Sequence, residues 1–586
     1  MKIDGKRAIA FIVRNNGDSY SVEMADTENR IGDGYKKITI DIYPENIDRI
    51  AGLVTNDKYA FVGYGNKYND NVILNYVIKN SAMLKSAGRS GVKSCIDTLV
   101  EQIINDDEEA KKAYKYVTLF NSVDMKRFLF SSGQDVSLRQ YVVSSNFRST
   151  DKESDVDNIA NIMDTNRERI EARLRVEDMY NEDLFDGCEG VIGNRLIQRI
   201  YSKMNGIPIK SLVAPTRPVR MISFKDIISG KITFKSEQLK MLLDDLSSYN
   251  VGVSEPWTHY VAYKDLPMLM NLAGLRMNTG PTKMLSDDDG EVYNVDVTSF
   301  YPSIASLFGF FPSCVNSTFM EIFFGMLAKR VSAKKTDAPV SRCMKDMLNG
   351  IIGQYMIEGS WLYDPEASYK IRVNGALVML ELIEDLYDGF DVKCVTIDGM
   401  FVKSRRKGSA EKLRDIVDGW SSRTGLNAEI TENKWVYMLS NNDYISDTSR
   451  KGFFCRSENN GFSNIPNIVR EAVINKLVNG VPVETTVSNG TDIRDYITSV
   501  SSNIALEWHG EIFNHERFYY SNDERMCKVA TKTNFGDPEL IPVTESGVTI
   551  VTTMPETMPN NVNYMHYMSE ANNIVEKINA QQLKLF

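Results

Sequence analysis

The chain has 586 residues, of which 25% are charged and 42% hydrophobic, and its formal net charge is −10. This length predicts several globular domains. No apolar run is long enough to span a bilayer and no signal peptide follows Met1, which argues against a membrane protein and a secreted one.

Cysteines and histidines are too scattered for the common metal sites. The seven cysteines include no Cys-x-x-Cys pair, and the four histidines are far apart in the sequence. This pattern argues against zinc ribbons, disulfide frameworks and histidine-based catalysis, and it fits a reducing cytoplasm.

The negative net charge argues against a nucleic-acid partner, but the basic residues are concentrated in one segment. Between Met326 and Lys345 there are six basic residues and one acidic residue, Asp337. Such a segment is usually a solvated face, although a local excess of positive charge also binds nucleic acids and phosphates.

Strands and helices alternate in the N-terminal part of the chain. The pattern predicts strands at 8–13 and 59–64, a helix at 71–78 and an acidic helix around Asp178. This arrangement resembles the ribonuclease-H-like 3′–5′ exonuclease domain that is attached to many DNA polymerases.

The exonuclease resemblance implies about four carboxylates that hold two metal ions. Asp70 fits the second exonuclease motif, and Asp178 fits the third except that Leu174 stands where a tyrosine is expected. The first motif, Asp-x-Glu, is missing from the end of the first strand, and only Asp26 and Glu28 further along have that spelling. The sequence therefore favours a degenerate, inactive exonuclease scaffold.

Residues 191–290 read as a lead-in to the next domain. Helical periodicity begins at Phe234, and a glycine-containing segment, 271–277, precedes an acidic loop at 286–290. The glycine segment is a loose match to one that lies close to the template backbone in some polymerases. A plain loop is an equally good interpretation.

The most informative stretch is Val-Tyr-Asn-Val-Asp-Val-Thr-Ser-Phe-Tyr-Pro-Ser-Ile, residues 292–304. An apolar strand ends at Asp296, and the following turn starts a helix that the hydroxyl of Ser299 or Ser303 is expected to cap. A carboxylate at a strand end can hold a hard divalent cation that carries phosphates. Taken alone, the stretch also fits a buried strand followed by a capped helix.

Two amphipathic helices follow, separated by a short Thr-Asp-Ala-Pro break. Arg330 and Lys334 are four residues apart on the first helix, and Lys345 and Asn349 are four apart on the second. Each pair therefore lies on one helical face. Because helices joined by a short turn are antiparallel, the two faces can converge on one anion such as a triphosphate.

A second aspartate lies on a predicted hairpin. Residues 392–402 alternate around Asp398-Gly399, which is a hairpin spelling. The flanking apolar residues are expected to bring Asp398 beside the strand of Asp296.

The order of these three segments resembles family B DNA polymerases. Asp296-Val-Thr-Ser-Phe-Tyr-Pro-Ser-Ile resembles motif A, Lys345-x-x-x-Asn349 with Gly353 resembles motif B, and Thr396-Ile-Asp398-Gly399 resembles motif C. The single acidic residue in the last motif resembles a bacteriophage branch of the family. The chain is thus similar to a bacteriophage-type family B enzyme.

The resemblance implies a multidomain α/β fold, namely a right-hand polymerase with palm, fingers and thumb behind a ribonuclease-H-like domain. The implied domains are an exonuclease-like domain at 1–190, a lead-in at 191–290, a palm at 291–445 with a fingers insertion at about 315–368, and a thumb with a C-terminal tail at 446–586.

The resemblance also implies roles for single residues. Asp296, Asp398 and the Val297 carbonyl are expected to hold two magnesium ions, with manganese as an alternative. Tyr301 is expected to lie under the sugar and exclude a 2′-hydroxyl, although a core tyrosine is the alternative. The residues expected to grip the incoming dNTP are Arg330, Lys334, Lys345 and Asn349.

Beyond the third motif the signals weaken. Residues 420–444 alternate and are expected to complete the palm, and Asn441 to Tyr444 resemble a Lys-x-Tyr segment without its lysine. Residues 465–578 are expected to be mostly helix and loop, which fits a thumb that holds duplex DNA by its phosphates.

The C-terminal residues suggest a partner. Gln582, Leu583, Leu585 and Phe586 place apolar anchors on a polar tail and resemble the peptide by which bacterial polymerases bind a sliding clamp. A tail folded back on the thumb is the alternative.

Together these features predict a monomeric, template-directed DNA polymerase that binds primer-template DNA and dNTPs in the cytoplasm of a bacterial host. The competing functions are a reverse transcriptase or primase-polymerase, and a DNA-binding protein with a retired polymerase fold.

Overall fold

The computed structural model describes residues 1–31, 34–67, 69–130, 136–144, 155–215, 221–253, 255–277, 280–455, 465–499, 505–514, 517–522, 528–531, 539–542, 547–552 and 554–580. The fold is mixed α/β and multidomain. Unit 1 comprises Met1–Cys188, Ser457–Asn467 and Gly490–His566, and unit 2 comprises Glu189–Arg456, Ile468–Asn489 and Tyr567–Phe586. Among the helices in these ranges, none is long and apolar enough to cross a membrane.

The first 188 residues contain strands β1 (Lys2–Ile3), β2 (Lys6–Asn15), β3 (Tyr20–Ile31), β4 (Gly34–Asp41), β5 (Tyr59–Gly63) and β6 (Ser122–Asp124). The helices of this segment are α1 (Ile47–Val54), α2 (Asp70–Lys79), α3 (Ser81–Ser86), α4 (Gly88–Ile104), α5 (Glu108–Ala110), α6 (Met125–Leu129), α7 (Leu138–Ser144), α8 (Asp155–Thr165) and α9 (Arg167–Tyr180).

The strands of residues 189–489 are β7 (Met221–Ser223), β8 (Asn250–Gly252), β9 (Thr258–Tyr263), β10 (Leu266–Asn271), β11 (Gly274–Met277), β12 (Thr282–Leu285), β13 (Val292–Val297), β14 (Phe390–Val395), β15 (Gly399–Ser404), β16 (Ala428–Asn433), β17 (Trp435–Ser440), β18 (Asp443–Ser446) and β19 (Arg450–Lys451). The helices are α10 (Glu189–Asn205), α11 (Phe224–Ile227), α12 (Glu237–Ser247), α13 (Phe300–Phe308), α14 (Ser317–Thr336), α15 (Ala338–Gly353), α16 (Pro365–Leu386), α17 (Ala410–Thr424), α18 (Asn467–Asn479) and α19 (Val483–Ser488).

The remaining elements are β20 (Thr498–Ser499), β21 (Ala505–Trp508), β22 (Glu511–Asn514), β23 (Arg517–Tyr520), β24 (Lys528–Thr531), β25 (Glu539–Pro542), β26 (Val548–Val551) and α20 (Tyr564–Ala580).

Unit 1 is built on a mixed sheet with strand order β4-β3-β2-β5-β6, in which β1 also pairs with β2. Strands β2, β5 and β6 are parallel, and β3 and β4 extend the β2 side as antiparallel strands. The two predicted strands at 8–13 and 59–64 are β2 and β5, and the helix predicted at 71–78 is α2, so these three predictions are confirmed.

Unit 2 contains a seven-stranded antiparallel sheet with order β16-β13-β15-β14-β11-β10-β9. Helix α16 packs on β11 and β14 and is buried on nearly all sides, as expected for a helix whose apolar residues surround it. The indole nitrogen of Trp420, on α17, donates to the Val378 carbonyl at 3.1 Å and ties α17 to α16. The predicted hairpin around Asp398 is the β14–β15 pair, and that prediction is confirmed.

The segment 271–277, for which a plain loop was one of two interpretations, is part of the β10–β11 hairpin. Two further predictions about secondary structure need correction. Of the residues expected to alternate from 420 to 444, those up to Thr424 belong to α17 and only the rest form strands. Residues 465–578 contain the strands β20 to β26, because short β-branched and aromatic runs such as Val548–Val551 pair with distant partners. The domain boundaries inferred from the sequence stay predictions.

Helices α10, α14 and α15 pack as a group in unit 2. Helix α10 approaches α15 through glycines: Gly190 lies against Gly350, and a Cβ atom at Gly193 would lie 2.8 Å from the Met347 Cα and collide with the Met347 carbonyl oxygen. Only residues without a side chain allow two helix backbones to come this close. The position of α15 is therefore fixed by a helix more than 140 residues earlier in the chain.

We predict that Gly193→Ala lowers the free energy of unfolding by about 1–3 kcal/mol, because the new methyl group has to push α10 away from α15. The matched control is Gly325→Ala on α14, where a Cβ atom meets nothing within 4 Å; this change should be neutral or stabilise by up to about 1 kcal/mol. Urea unfolding followed by circular dichroism measures both. Equal effects of the two substitutions would contradict the close packing.

Candidate active site

The register of three strands places Asp296 between two other acidic positions. Asp296 is opposite Gly399 on β15 and opposite Glu429 on β16. The backbone N–H of Val297 donates to the carbonyl oxygen of Asp398 at 2.7 Å. Asp398, in the turn just before β15, therefore lies beside Asp296, as the sequence predicted.

Gly399 makes this close approach possible. A Cβ atom at this position would lie 2.8 Å from the Val295 carbonyl oxygen and 3.1 Å from Oδ1 of Asp296. The turn itself is closed by the Thr396 N–H, which donates to the Gly399 carbonyl at 2.8 Å. A side chain at residue 399 would thus separate the two aspartates or twist the carboxylate of Asp296.

The charges around Asp296 are balanced between acids and bases. Burial, followed by the charge of Asp398, raises the pKa of Asp296 to about 6. Glu429 acts in the same direction, whereas Lys345 and Lys334 lower this pKa. Both helices therefore bring a cation within electrostatic range of Asp296.

Arg330 is held below the turn that follows β13. Its guanidinium is buried and donates through Nη1 to the hydroxyl of Ser299, and its Nε atom has no partner among the described residues. Burial lowers the pKa of Arg330, while the nearby Glu429 and Asp296 raise it. Arg330 therefore brings a buried positive charge within electrostatic range of Asp296.

The predicted helix cap is wrong. Helix α13 begins at Phe300 without a side-chain cap, and Ser299 has a left-handed backbone with φ of 51°. Its hydroxyl is engaged by Arg330, and the hydroxyl of Ser303 donates to the Thr298 carbonyl at 3.0 Å. A serine hydroxyl that accepts from a buried guanidinium forms a stronger, charge-assisted bond than a cap would.

Lys334 forms an ion pair with Glu429. The Lys334 ammonium lies 2.5 Å from Oε1 of Glu429, which also accepts from the Thr298 hydroxyl at 3.3 Å. Sequence reasoning missed Glu429. The alternation of residues 428–433 predicts a strand, but only the pairing register of β16 with β13 reveals that its glutamate faces Asp296.

Lys345 and Asn349 are exposed on one face of α15, and the opposite face, with Met344 and Leu348, is buried. Asp337 caps α15 by accepting from the Val340 N–H at 3.1 Å, which makes the turn between α14 and α15 tight. The antiparallel pairing of the two helices thus leaves Lys345 and Asn349 accessible to a ligand.

Tyr301 lies against the β10–β11 turn. Its hydroxyl donates to the Ala273 carbonyl at 2.9 Å, and a Cβ atom at Gly274, where φ is +119°, would lie 3.1 Å from that hydroxyl. Burial raises the pKa of Tyr301 to about 12, and the charge of Asp398 acts in the same direction. The ring is therefore fixed in position next to the second aspartate.

The segment that resembles Lys-x-Tyr has a structural task. The side-chain amide of Asn441 donates to the carbonyls of Met277 and Val395, at 2.5 Å and 3.0 Å, and so ties β11 to β14. Tyr444 packs edge-on against Phe401 and is opposite Lys451 across β18 and β19. The tripeptide lacks its lysine, but Lys451 on the neighbouring strand β19 lies opposite its tyrosine.

The donor set suits a hard divalent ion whose other ligands come from a substrate. Among the described residues no group of three or more histidine, cysteine or acidic side chains could hold a metal. The available donors here are the carboxylates of Asp296 and Asp398 and the backbone near Val297. Magnesium is commonly bound by one or two carboxylates together with water and substrate phosphates.

The exonuclease candidates in unit 1 are not brought together. Asp70 accepts from the Val13 N–H at 3.2 Å, and burial raises its pKa to about 7, with Asp124 adding to the rise. Asp26 is opposite Ile9, four residues from Val13, which is about 13 Å along the strand. Asp178 is exposed on α9.

Arginines replace or occupy the acidic positions of the first motif. Arg14 stands near the end of β2 and forms ion pairs with Glu23 at 2.8 Å and Asp155 at 3.1 Å. Asp26 receives a bidentate contact from Arg7, which also lies 3.4 Å from Glu28. Asp26 and Glu28 are thus committed to an ion pair at the start of β2. The predicted clamp-binding residues, Gln582 to Phe586, lie outside the described residues.

Comparison with known proteins found likenesses in structure. No protein-family model matches the chain, and no curated protein sequence matches it. Its fold is similar to that of the family B DNA polymerase from the hyperthermophilic archaeon Pyrobaculum calidifontis, with a TM-score of 0.42 and 11% sequence identity over 98% of this chain and 78% of that one. Function is therefore inferred from the residues around Asp296.

We predict that Asp296→Asn stabilises the metal-free protein at pH 8. A carboxyl whose pKa is raised from 3.8 to about 6 on folding costs stability once it ionises, by at most about 3 kcal/mol. The gain should be complete above about pH 7, should shrink as the pH falls through 6, and should disappear below about pH 3, where the wild-type carboxyl is protonated in both the folded and the unfolded state. Thermal unfolding in EDTA at several pH values measures it. A variant less stable than the wild type at pH 8 would contradict the buried acid pair.

Proposed function

We propose that this chain is a template-directed, DNA-dependent DNA polymerase that transfers nucleotides from dNTPs to a primer 3′-hydroxyl. One observation carries the proposal. Asp296 and Asp398 lie side by side at the end of a sheet, while Lys334 and Lys345 from two antiparallel helices act on the same carboxylate. Paired carboxylates facing cations are the equipment of metal-assisted phosphoryl transfer.

The chain's own residues supply charge and position. Asp296 and Asp398, with the Val297 carbonyl, would hold two magnesium ions, which when bound neutralise phosphate charge and favour the ionised primer hydroxyl. Lys345 and Asn349 are exposed and free to reach a triphosphate, and Arg330 adds a buried positive charge behind them. These groups would hold the phosphates by charge and hydrogen bonds and so position them for the reaction.

Tyr301 is the proposed filter for the sugar. Its ring is held by the Ala273 carbonyl and by the close contact with Gly274, so it has little freedom to move aside for an extra hydroxyl. A rigid ring next to Asp398 supports selection of deoxynucleotides over ribonucleotides, because a ribonucleotide carries an additional 2′-hydroxyl.

The finer parts of the proposal follow the resemblance. The antiparallel sheet with α16 would be the palm, α14 and α15 the fingers, and the mixed sheet of unit 1 supports a ribonuclease-H-like scaffold. That scaffold would have weak or no 3′–5′ exonuclease activity, because Arg7 engages Asp26 and Glu28. A bacteriophage-type enzyme that works as a monomer in a bacterial cytoplasm, tethered through 582–586 to a sliding clamp, completes the proposal.

The decisive experiment is primer extension with a DNA or an RNA template and with dNTPs or NTPs. Extension only with DNA and dNTPs supports the proposal. Extension on RNA would indicate a reverse transcriptase, synthesis with NTPs or without a primer would indicate a primase-polymerase, and DNA binding without synthesis would indicate a retired polymerase fold.

We predict that Asp398→Asn lowers the rate of extension at least about a thousandfold while primer-template binding changes little, since a metal-binding carboxylate is lost and the basic residues remain. Gel extension and fluorescence anisotropy measure the two properties. The control is Asp391→Asn on β14, whose carboxylate pairs with Arg405 at 2.7 Å on the same hairpin. Extension by Asp398→Asn at the control's rate would contradict the assignment of Asp398 as a metal-binding residue.

A further inference from the structure

The ion pair between Lys334 and Glu429 occupies a side chain that the proposed reaction needs. Lys334 is one of the residues expected to grip the triphosphate, yet its ammonium lies 2.5 Å from a carboxylate oxygen of Glu429. One ammonium group cannot hold the carboxylate and a triphosphate in the same close geometry without sharing its charge. Nucleotide binding and the ion pair therefore compete.

Glu429, which competes with a triphosphate for Lys334, lies among the other charged groups of the site. Glu429 is directly opposite Asp296 on the neighbouring strand β16 and in contact with Lys334, so it lies between the two groups. Its charge also affects the pKa of Asp296 and that of Arg330. Together with Lys334, three groups of the site are therefore within its range. Its charge has the same sign as the incoming triphosphate.

The pair is built to exchange. The side chain of Lys334 is 36% exposed and that of Glu429 is 53% exposed, so either group can return to water at small cost. A cavity of about 540 Å³ lies beside the pair and is lined by Thr298, Leu307, Val331, Lys335, Asn427 and the pair itself. The cavity leaves room for the glutamate or the lysine to move.

Resting on the proposed polymerase function, we propose that Glu429 is a positioning residue that holds Lys334 until a triphosphate displaces it and takes Lys334 back when pyrophosphate leaves. The glutamate is an internal competitor for the phosphate-binding lysine. It weakens the binding of both the dNTP and the pyrophosphate product, and it speeds product release without contact to the reacting atoms.

The test is Glu429→Gln in single-nucleotide primer extension, with inhibition by inorganic pyrophosphate as the second readout. An exposed ion pair contributes up to about 1 kcal/mol, so the KM for dNTP and the inhibition constant of pyrophosphate should both fall about two- to fivefold. The value of kcat should change by less than these constants. Glu432→Gln is the matched control, because it makes the same change on β16 on the opposite face, beside Tyr293.

A second variant shows whether the effect passes through Lys334. Lys334→Ala should raise the KM, and adding Glu429→Gln to it should then leave the KM unchanged within about 1.5-fold, since the two residues act as one pair. An undiminished gain in the double variant would mean that Glu429 repels the triphosphate without Lys334, and this would overturn the proposal.

Other outcomes are equally clear. A loss of kcat of more than tenfold in Glu429→Gln, with a higher magnesium requirement, would make Glu429 a metal ligand and overturn the proposal. Unchanged constants in a folded Glu429→Gln protein would overturn it while leaving the polymerase function intact. A wild-type chain that extends no primer would overturn both.

Discussion

The close contact between β13 and β15 is the constraint on which the rest of the site depends. Two carboxylates, Asp296 and Asp398, can lie side by side only because Gly399 has no side chain to separate the strands. The arrangement costs stability, since like charges are partly withdrawn from water. Strand β13 tolerates this cost because it is paired on both sides, with β15 and β16, in the middle of a group of three strands. A local arrangement that lowers stability in this way is typical of functional sites.

Basic residues on the helices partly balance the negative charge of the acidic residues on the strands. Arg330, Lys334 and Lys345 come from α14 and α15, and each interacts electrostatically with Asp296 or with its neighbour Glu429. Their reach depends on where the helix pair sits, and this is fixed by the glycine contacts between α10 and α15. The balance of charge at Asp296 is therefore set by packing on the far side of the helices.

Sequence reasoning found what is local and missed what depends on register. A hairpin at Asp398-Gly399 and polar pairs four residues apart on a helix follow from turn chemistry and helical periodicity. Glu429 and the contact of Arg330 with Ser299 depend on which distant segments pair, and no short pattern specifies that. For the same reason the strands between 498 and 551, several of them four residues long, were expected to be helix and loop.

The aspartates of the two units differ in their suitability for metal binding, because other protein groups contact their carboxylate oxygens to different extents. In unit 1, Asp26 is neutralised by Arg7, and Asp124 accepts from the Gly65 and Lys126 amides at 2.8 Å and 3.0 Å. Asp70 is buried deeply enough that its pKa rises to about 7, well above the ordinary value of an aspartate. The carboxylate of Asp296, whose pKa burial also raises, differs in that Lys334 and Lys345 act on it from separate helices. A motif's carboxylate can serve metal chemistry only when its charge and its oxygen atoms remain available, and Asp296 meets this criterion better than Asp26 and Asp70 do.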